Sequence, residues 1–208
     1  VFCQTCTKFK TQFACEVKGF DAANYMDRKE ARKMDLFTQY AIASAKMAVE
    51  DSHIDLETID KNNIGVIFGV GIGGLHTFEE EAGAYAVTGK EIGPKYSPFF
   101  IPKMITDIAS GHISIMYGFH GPNYTTTSAC ASSTHAIADA FNLIRLGKAT
   151  MILSGGSEAG IWPAGVGGFN AMKALSTRND EPTKASRPFS ASRDGFVMGE
   201  GAGCIILE

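Results

Sequence analysis

No stretch of this sequence approaches the roughly 18 to 20 consecutive apolar residues that a membrane-spanning helix requires. The start, Val1-Phe2-Cys3-Gln4-Thr5-Cys6, also lacks the charged region and apolar core of a signal peptide. From these two absences a cytoplasmic protein without a membrane partner is expected. An excess of either charge is missing as well: 19 Lys and Arg against 22 Asp and Glu leave a net −3, which gives no global case for binding nucleic acid. Cysteine is present but unpaired in pattern. The five (Cys3, Cys6, Cys15, Cys130, Cys204) are an odd, scattered set, which implies free thiols in a reducing compartment. Cys3-x-x-Cys6 has the spacing of half a zinc site, but no second Cys or His pair follows at ligand spacing, so no metal is expected. There is no fixed-period repeat, low-complexity tract or linker that would divide the chain.

What is present is an ordinary folding composition, 45% apolar and 20% charged with 23 glycines. Asp35 is placed as an N-cap for a segment in which Leu36, Tyr40, Ala43 and Met47 recur at steps of three and four, which predicts an amphipathic helix ending near Asp51-Ser52. Ile64 to Val70 is a continuous apolar, β-branched run of strand length, as expected of a strand covered on both faces. Thr150 to Ser154, closed by Gly155-Gly156, and Ala202 to Leu207 are two more. Cys204 falls in the last and is expected to be buried. Between the first two strands a helix is predicted, with Ile137, Phe141 and Ile144 on one face and Gly147 as its stop. Strand, helix, strand implies an α/β fold with helices packed on a mostly parallel sheet.

The stretch Gly121-Pro122-Asn123-Tyr124-Thr125-Thr126-Thr127-Ser128-Ala129-Cys130 reads as a short extended segment, then a residue small enough for a tight turn, then a thiol at the start of a helix. Unpaired N–H groups and the helix dipole there favour thiolate, the nucleophilic form. The plainer alternative is that Cys130 is a small buried hydrophobe. Gly69-Val70-Gly71-Ile72-Gly73-Gly74 satisfies G-x-G-x-x-G after a strand, which taken alone suggests dinucleotide binding. The acidic residue that should follow about 20 positions later, Glu91, sits in a stretch that reads as a loop, so the glycines are instead expected to permit close backbone packing. Ser157 in Gly155-Gly156-Ser157-Glu158-Ala159 lacks the second glycine of a hydrolase elbow and reads as a turn residue after its strand. Lys29, Arg32 and Lys33 read as the solvated face of a helix start.

Thr127-Ser128-Ala129-Cys130-Ala131-Ser132-Ser133-Thr134-His135 resembles the active-site run of the β-ketoacyl-acyl-carrier-protein synthases, in particular their type II, long-chain bacterial branch. Other runs resemble the same family in the same order. They are Arg28 to Asp35, Gly71 to Leu75, Ser97 to Phe100, Gly165 to Phe169, Ala174 to Asn179, Ser186 to Phe189 and Arg193 to Gly201. The resemblance implies a thiolase-like layered α/β fold, of which residues 1–208 would form the N-terminal half without its opening strand.

It also implies an acyltransferase of fatty-acid elongation that needs no cofactor. An acyl group would pass from its carrier protein to Cys130, and malonyl carrier protein would lose CO2 and attack the thioester. In the family two histidines, a lysine and part of the oxyanion hole come from the second half of the domain, and none of His53, His76, His112, His120 or His135 matches those histidines. Five residues after Cys130, His135 is turned by roughly 500 degrees, about 140 net, which puts it on another side of the helix and predicts a structural role.

The acyl pocket maps by resemblance onto Ile72, Phe100, Ala129, Gly165 and Phe169, with Phe169 as a gate and Phe100 reaching across the interface of a homodimer. Lys29, Arg32, Lys33 and Lys173 map onto the surface that faces the acidic acyl carrier protein. A polyketide-type ketosynthase and a thiolase remain as relatives of the same chemistry. A chain-length-factor subunit would lack the cysteine that is present here, and a catalytically incomplete structural fragment is the remaining alternative.

Overall fold

The computed structural model describes residues 6–89 and 95–208. Cys3 of the Cys-x-x-Cys pair and Glu91 lie outside the described residues. Two compact units divide the chain. One combines Val1–Phe20 with Ala159–Gly201, and the other combines Asp21–Glu158 with Ala202–Glu208.

In the larger unit the alternation read from the sequence becomes a sheet in the order β2-β1-β3-β4, with β1 at Ile64–Gly69, β2 at Asn123–Thr126, β3 at Met151–Glu158 and β4 at Gly201–Leu207. Both neighbours of β1 run parallel to it, with Ile64 opposite Met151 and Gly69 opposite Gly156. Every residue of β1 is buried, as a run without polar alternation requires of a strand covered on both faces.

Seven α-helices are described: α1 (Arg28–Ala31), α2 (Leu36–Ser52), α3 (Leu75–Ala84), α4 (Phe100–Met104), α5 (Ile108–Tyr117), α6 (Ser132–Arg145) and α7 (Pro163–Ala171). All but α7 belong to the larger unit. Helix α6 lies on β1 and β3. Its contact face is built from Ala136 and Ala140, one helical turn apart and fully buried with Ile67, Ala149 and Ile152. Such small residues let helix and sheet approach closely.

The structure corrects several local readings. Phe141 is not on the buried face of α6. Its ring is exposed beneath the Arg145 guanidinium, 5.4 Å from the ring centre, and the inward positions go to the alanines. Helix α2 is buried on more than one stripe, through Phe37, Tyr40, Ala41, Ile42, Ala43, Ala45 and Val49, whereas Met47 is exposed. The spacing was right for a helix, but its environment has several packed sides.

Strand β3 does not close at Gly155-Gly156. It runs on to Glu158, so Ser157 is a buried strand residue and not a turn. Strand β4, last in the sheet order, is not covered on both faces: Ile205 is exposed and Cys204 only partly covered. Asp35 does occupy the N-cap position of α2, but its side chain does not cap that helix. Its Oδ2 accepts from the Thr77 N–H at 3.1 Å and the Thr77 hydroxyl at 2.6 Å, tying α2 to α3.

The smaller unit is built differently. Cys6, Ala14, Ile161, Val166, Leu175 and Met198 form its core, with Phe9, Phe169 and Phe196 packed against it. Side chains join its loops: the Thr11 hydroxyl donates to the Ser176 carbonyl at 2.8 Å, and the Asn179 amide bridges Lys10 and Gln12. Gly165 to Phe169 lies inside α7.

Candidate active site

Strand β2 leads through Thr127 and Ser128 to Ala129, whose φ of +52° is in the left-handed region. A residue with a Cβ held there costs about 1 to 2 kcal/mol. Cys130 follows, exposed, and α6 begins two residues later behind the cap position Ala131. The thiol is thus presented at the positive end of a 14-residue helix by a sharp strained turn.

The turn is held from several sides. The Ser128 N–H donates to the Ser132 hydroxyl at 2.9 Å, and that hydroxyl donates to the Ala129 carbonyl at 2.7 Å. The Thr126 hydroxyl donates to the Ser132 carbonyl at 2.8 Å. Its depth is set by facing glycines. A Cβ at Gly69 would strike the Ser132 and Ser133 backbone, and one at Gly156 would strike the Ser133 hydroxyl, so the bare ends of β1 and β3 form the seat for the start of α6. No larger residue fits there.

The glycine run after β1 passes beside this turn. The Val70 N–H donates to the Thr126 carbonyl at 3.2 Å, and the Thr127 hydroxyl donates back to the Val70 carbonyl at 2.9 Å. The next three N–H groups converge on one carboxylate: Gly71 and Ile72 donate to Glu158 Oε2 at 2.9 and 2.8 Å, and Gly73 donates to Oε1 at 3.2 Å. Those are the groups that would cradle a phosphate in a dinucleotide fold, and an internal anion already occupies them. Gly73, at φ +77°, makes the concave turn possible.

Of the pocket residues mapped from the sequence, Ile72, Phe100 and Ala129 belong to the larger unit. Ile72 is exposed on the glycine loop, and a Cβ on neighbouring Gly71 would stand 3.6 Å from the Ala129 carbonyl. Phe100 opens α4, stacked between Tyr96 at 5.3 Å and Phe78 at 6.4 Å, while the Gly74 N–H donates to Met104 at the other end of that helix. Gly165 and Phe169 lie in the smaller unit, where Phe169 meets Phe196 edge-on at 5.3 Å.

Among the basic residues, Lys29 and Arg32 are exposed, and Lys33 pairs with Glu30 at 2.6 Å. Lys173, in the smaller unit, is exposed with φ +56°.

His53 forms the left-handed C-cap of α2, His76 pairs with Glu80 at 2.9 Å, and His120 meets Asn62 at 3.3 Å. Burial holds the His112 imidazole below its usual range. His135 bonds through Nδ1 to the Ser128 hydroxyl at 2.6 Å, so it buttresses the strand side of the turn. Burial pushes the Cys204 thiol up to about 12, which makes it inert as a nucleophile near neutral pH. Among the described residues no group of three or more His, Cys, Asp or Glu could hold a metal, and no helix is long and apolar enough to cross a membrane. Sequence reading missed Glu158, Thr127 and the Ser132 hydroxyl. Only Glu158 carried a signal, as an acid at the end of a strand whose neighbouring strand ends in glycines.

The chain is similar to proteins of one known family. Residues 3–208 match the family model described as Beta-ketoacyl synthase, N-terminal domain. The chain is 49% identical over 203 residues to 3-oxoacyl-[acyl-carrier-protein] synthase 2 of Vibrio cholerae, covering 97% of this chain and 48% of the relative. A crystal structure of a beta-ketoacyl synthase from Burkholderia phymatum superposes with a TM-score of 0.84 at 33% identity, over 96% of this chain and 48% of that one. A type II PKS acyl-carrier protein in complex with its ketosynthase bound to the hexaketide matches with a TM-score of 0.76 at 26% identity, over 94% and 53%. The chain spans about half the length of the curated relatives it matches.

Proposed function

The chain belongs to the β-ketoacyl synthase family, and from that premise we propose that it carries the acyl-accepting thiol of a 3-oxoacyl-[acyl-carrier-protein] synthase of fatty-acid elongation. The fold is the thiolase-like layered α/β architecture. The observation that carries the proposal is the setting of Cys130, exposed at the start of α6 on the strained Ala129 turn. The Cys130 thiolate attacks the thioester carbonyl of an acyl carrier protein, the carrier's sulfur leaves and takes up a proton, and the acyl group stays on Cys130. Malonyl carrier protein then loses CO2, its carbanion attacks the acyl carbonyl, and Cys130 leaves as thiolate. Ile72, Phe100, Ala129, Gly165 and Phe169 are proposed to line the acyl chain, with Phe169 as a gate.

Lys29, Arg32, Lys33 and Lys173 are proposed to meet the acidic carrier. The exposure of Lys29, Arg32 and Lys173 supports this, and so does the ketosynthase relative whose structure contains its acyl-carrier protein. The same reading makes the full-length protein a cytoplasmic homodimer with Phe100 at its interface, supported by the exposed neighbours Tyr96, Phe99 and Ile101. A fatty-acid role is favoured over a polyketide one because identity falls from 49% for the former relative to 26% for the latter.

The test is to incubate the full-length protein with a long-chain acyl carrier protein and map the added acyl mass by peptide. The acyl group is expected on Cys130 and absent from Cys130→Ser. Acylation elsewhere, or none, would overturn the reading.

A further inference from the structure

We infer that Glu158 is a positioning residue: its carboxylate holds the Gly71–Gly73 backbone, and through it Ile72, in the place past which the acyl chain runs. The consequence for acyl chains rests on the function proposed above, but the latch itself stands on geometry alone. Three consecutive N–H groups donate to the two oxygens of this one side chain, at 2.9, 2.8 and 3.2 Å. A carboxylate is the strongest acceptor available for such a concave run of donors, and no neutral side chain satisfies all three with two oxygens.

The position of Glu158 gives the latch its purpose. It ends β3 two residues after Gly156, which seats the start of α6, so the carboxylate is anchored to the same rigid floor as the nucleophile. Gly71 admits the carboxylate only because it lacks a Cβ, which would stand 2.7 Å from Oε2. Ile72, 41% exposed, sits between two latched glycines, so the latch fixes the backbone from which its side chain projects. Loss of the carboxylate leaves these three donors without their acceptor and lets the loop, with Ile72, drift relative to the turn that bears Cys130.

Two variants of the full-length protein test this. Glu158→Ala removes both oxygens, and Glu158→Gln keeps one and replaces the other with a donor that faces an N–H. Amide hydrogen exchange at Gly71, Ile72 and Gly73 should quicken by about 100-fold in Glu158→Ala and by less in Glu158→Gln, while Val66 and Phe68 of β1 keep their protection. The ratio of Cys130 acylation by long-chain to short-chain acyl carrier protein should also shift by about 10-fold in Glu158→Ala, with partial recovery in Glu158→Gln. Alkylation of Cys130 by iodoacetamide, too small to sense Ile72, should change little.

Unchanged exchange at the three amides overturns the latch. Quickened exchange with an unaltered chain-length ratio in an enzyme that acylates normally overturns its role in positioning Ile72. If wild-type protein takes no acyl group from any carrier, the function proposed above fails, and the exchange result still decides the latch.

Discussion

The two compact units solve the same problem, fixing irregular backbone, with different emphasis. In the larger one the turn at Ala129 and Cys130 is braced by the Thr126 and Ser132 hydroxyls and by His135, and its depth is set by bare backbone: Gly69 and Gly156 face each other across β1 and β3, and the start of α6 rests on them. The smaller one relies more on side-chain hydrogen bonds between its loops. Asp194 accepts from the Ser176 hydroxyl at 2.8 Å and from the Thr177 N–H at 3.1 Å, and Thr11, Asn170 and Asn179 stitch the remaining loops. Backbone contact tolerates no added atom, whereas a side-chain stitch can be cut at modest cost. A nucleophile that must stand within a fraction of an ångström of its donors is better served by the first device.

The sharpest contrast to be tested is between thiols. At pH 8 Cys130 should be alkylated far faster than Cys204, because Cys130 is exposed whereas burial pushes the Cys204 thiol up to about 12. Exposed Cys15 in the smaller unit is the competitor that could break the assignment. Timed peptide mapping decides it, and labelling of Cys15 ahead of Cys130 would remove the special status of the turn.

Next in size is Gly156→Ala. Its methyl would strike Ser133 Oγ and stand 2.6 Å from the Gly69 carbonyl, so a loss of about 3 kcal/mol in urea unfolding is expected. A loss under about 1 kcal/mol would show that the α6 seat yields, and the contrast between the units would weaken.

Phe169→Ala probes the smaller unit. The ring is only partly buried against Phe196 and the local core, so about 1 to 2 kcal/mol should be lost, less than the ~3 to 5 of a fully buried phenylalanine. If Phe169 is a gate, acylation of Cys130 slows by more than the folded fraction explains. Normal acylation by the fraction still folded would leave it a core aromatic.

Reversing the charges of Lys29, Arg32 and Lys33 should weaken carrier binding at low salt by about 1 to 2 kcal/mol in all, and the effect should fade as salt rises. Lys33 should contribute least, because Glu30 already pairs with it. Unchanged low-salt affinity would return the cluster to a solvated face.

The smallest effect is expected at Asp194. The hydrogen bond from Ser176 outweighs the opposing effect of burial and, with lesser help from the Thr177 N–H and Arg178, holds its carboxyl below the usual range. A depressed folded-state value means that the stabilisation is complete above the unfolded value of about 3.9 and is lost as pH falls through the folded one. Asp194→Asn should therefore be less stable than wild type at pH 6, with the gap closing as pH falls below about 4. A gap independent of pH would mean that the charge is idle.

Composition, spacing and the run around Cys130 were enough to determine the α/β class, strands β1, β3 and β4, helices α2 and α6, and which thiol stands at a helix start. These are local properties: an unbroken apolar run has to be covered, and a small residue before a helix permits a turn. Other features could be decided only by tertiary contact. Ser157 was misread because Gly155-Gly156 looks like the end of a strand until Gly69 and α6 are seen pressed against it. Phe141 was misread because helical spacing does not say which face meets the sheet when alanines serve better than a large ring. Glu158 carried only the signal of an acid at a strand end, which does not say what it meets, since its partners lie more than 80 positions away and are backbone groups that any residue carries. Sequence specifies periodicity and steric allowance, but which distant backbone donors converge on one carboxylate depends on how the strands are laid side by side.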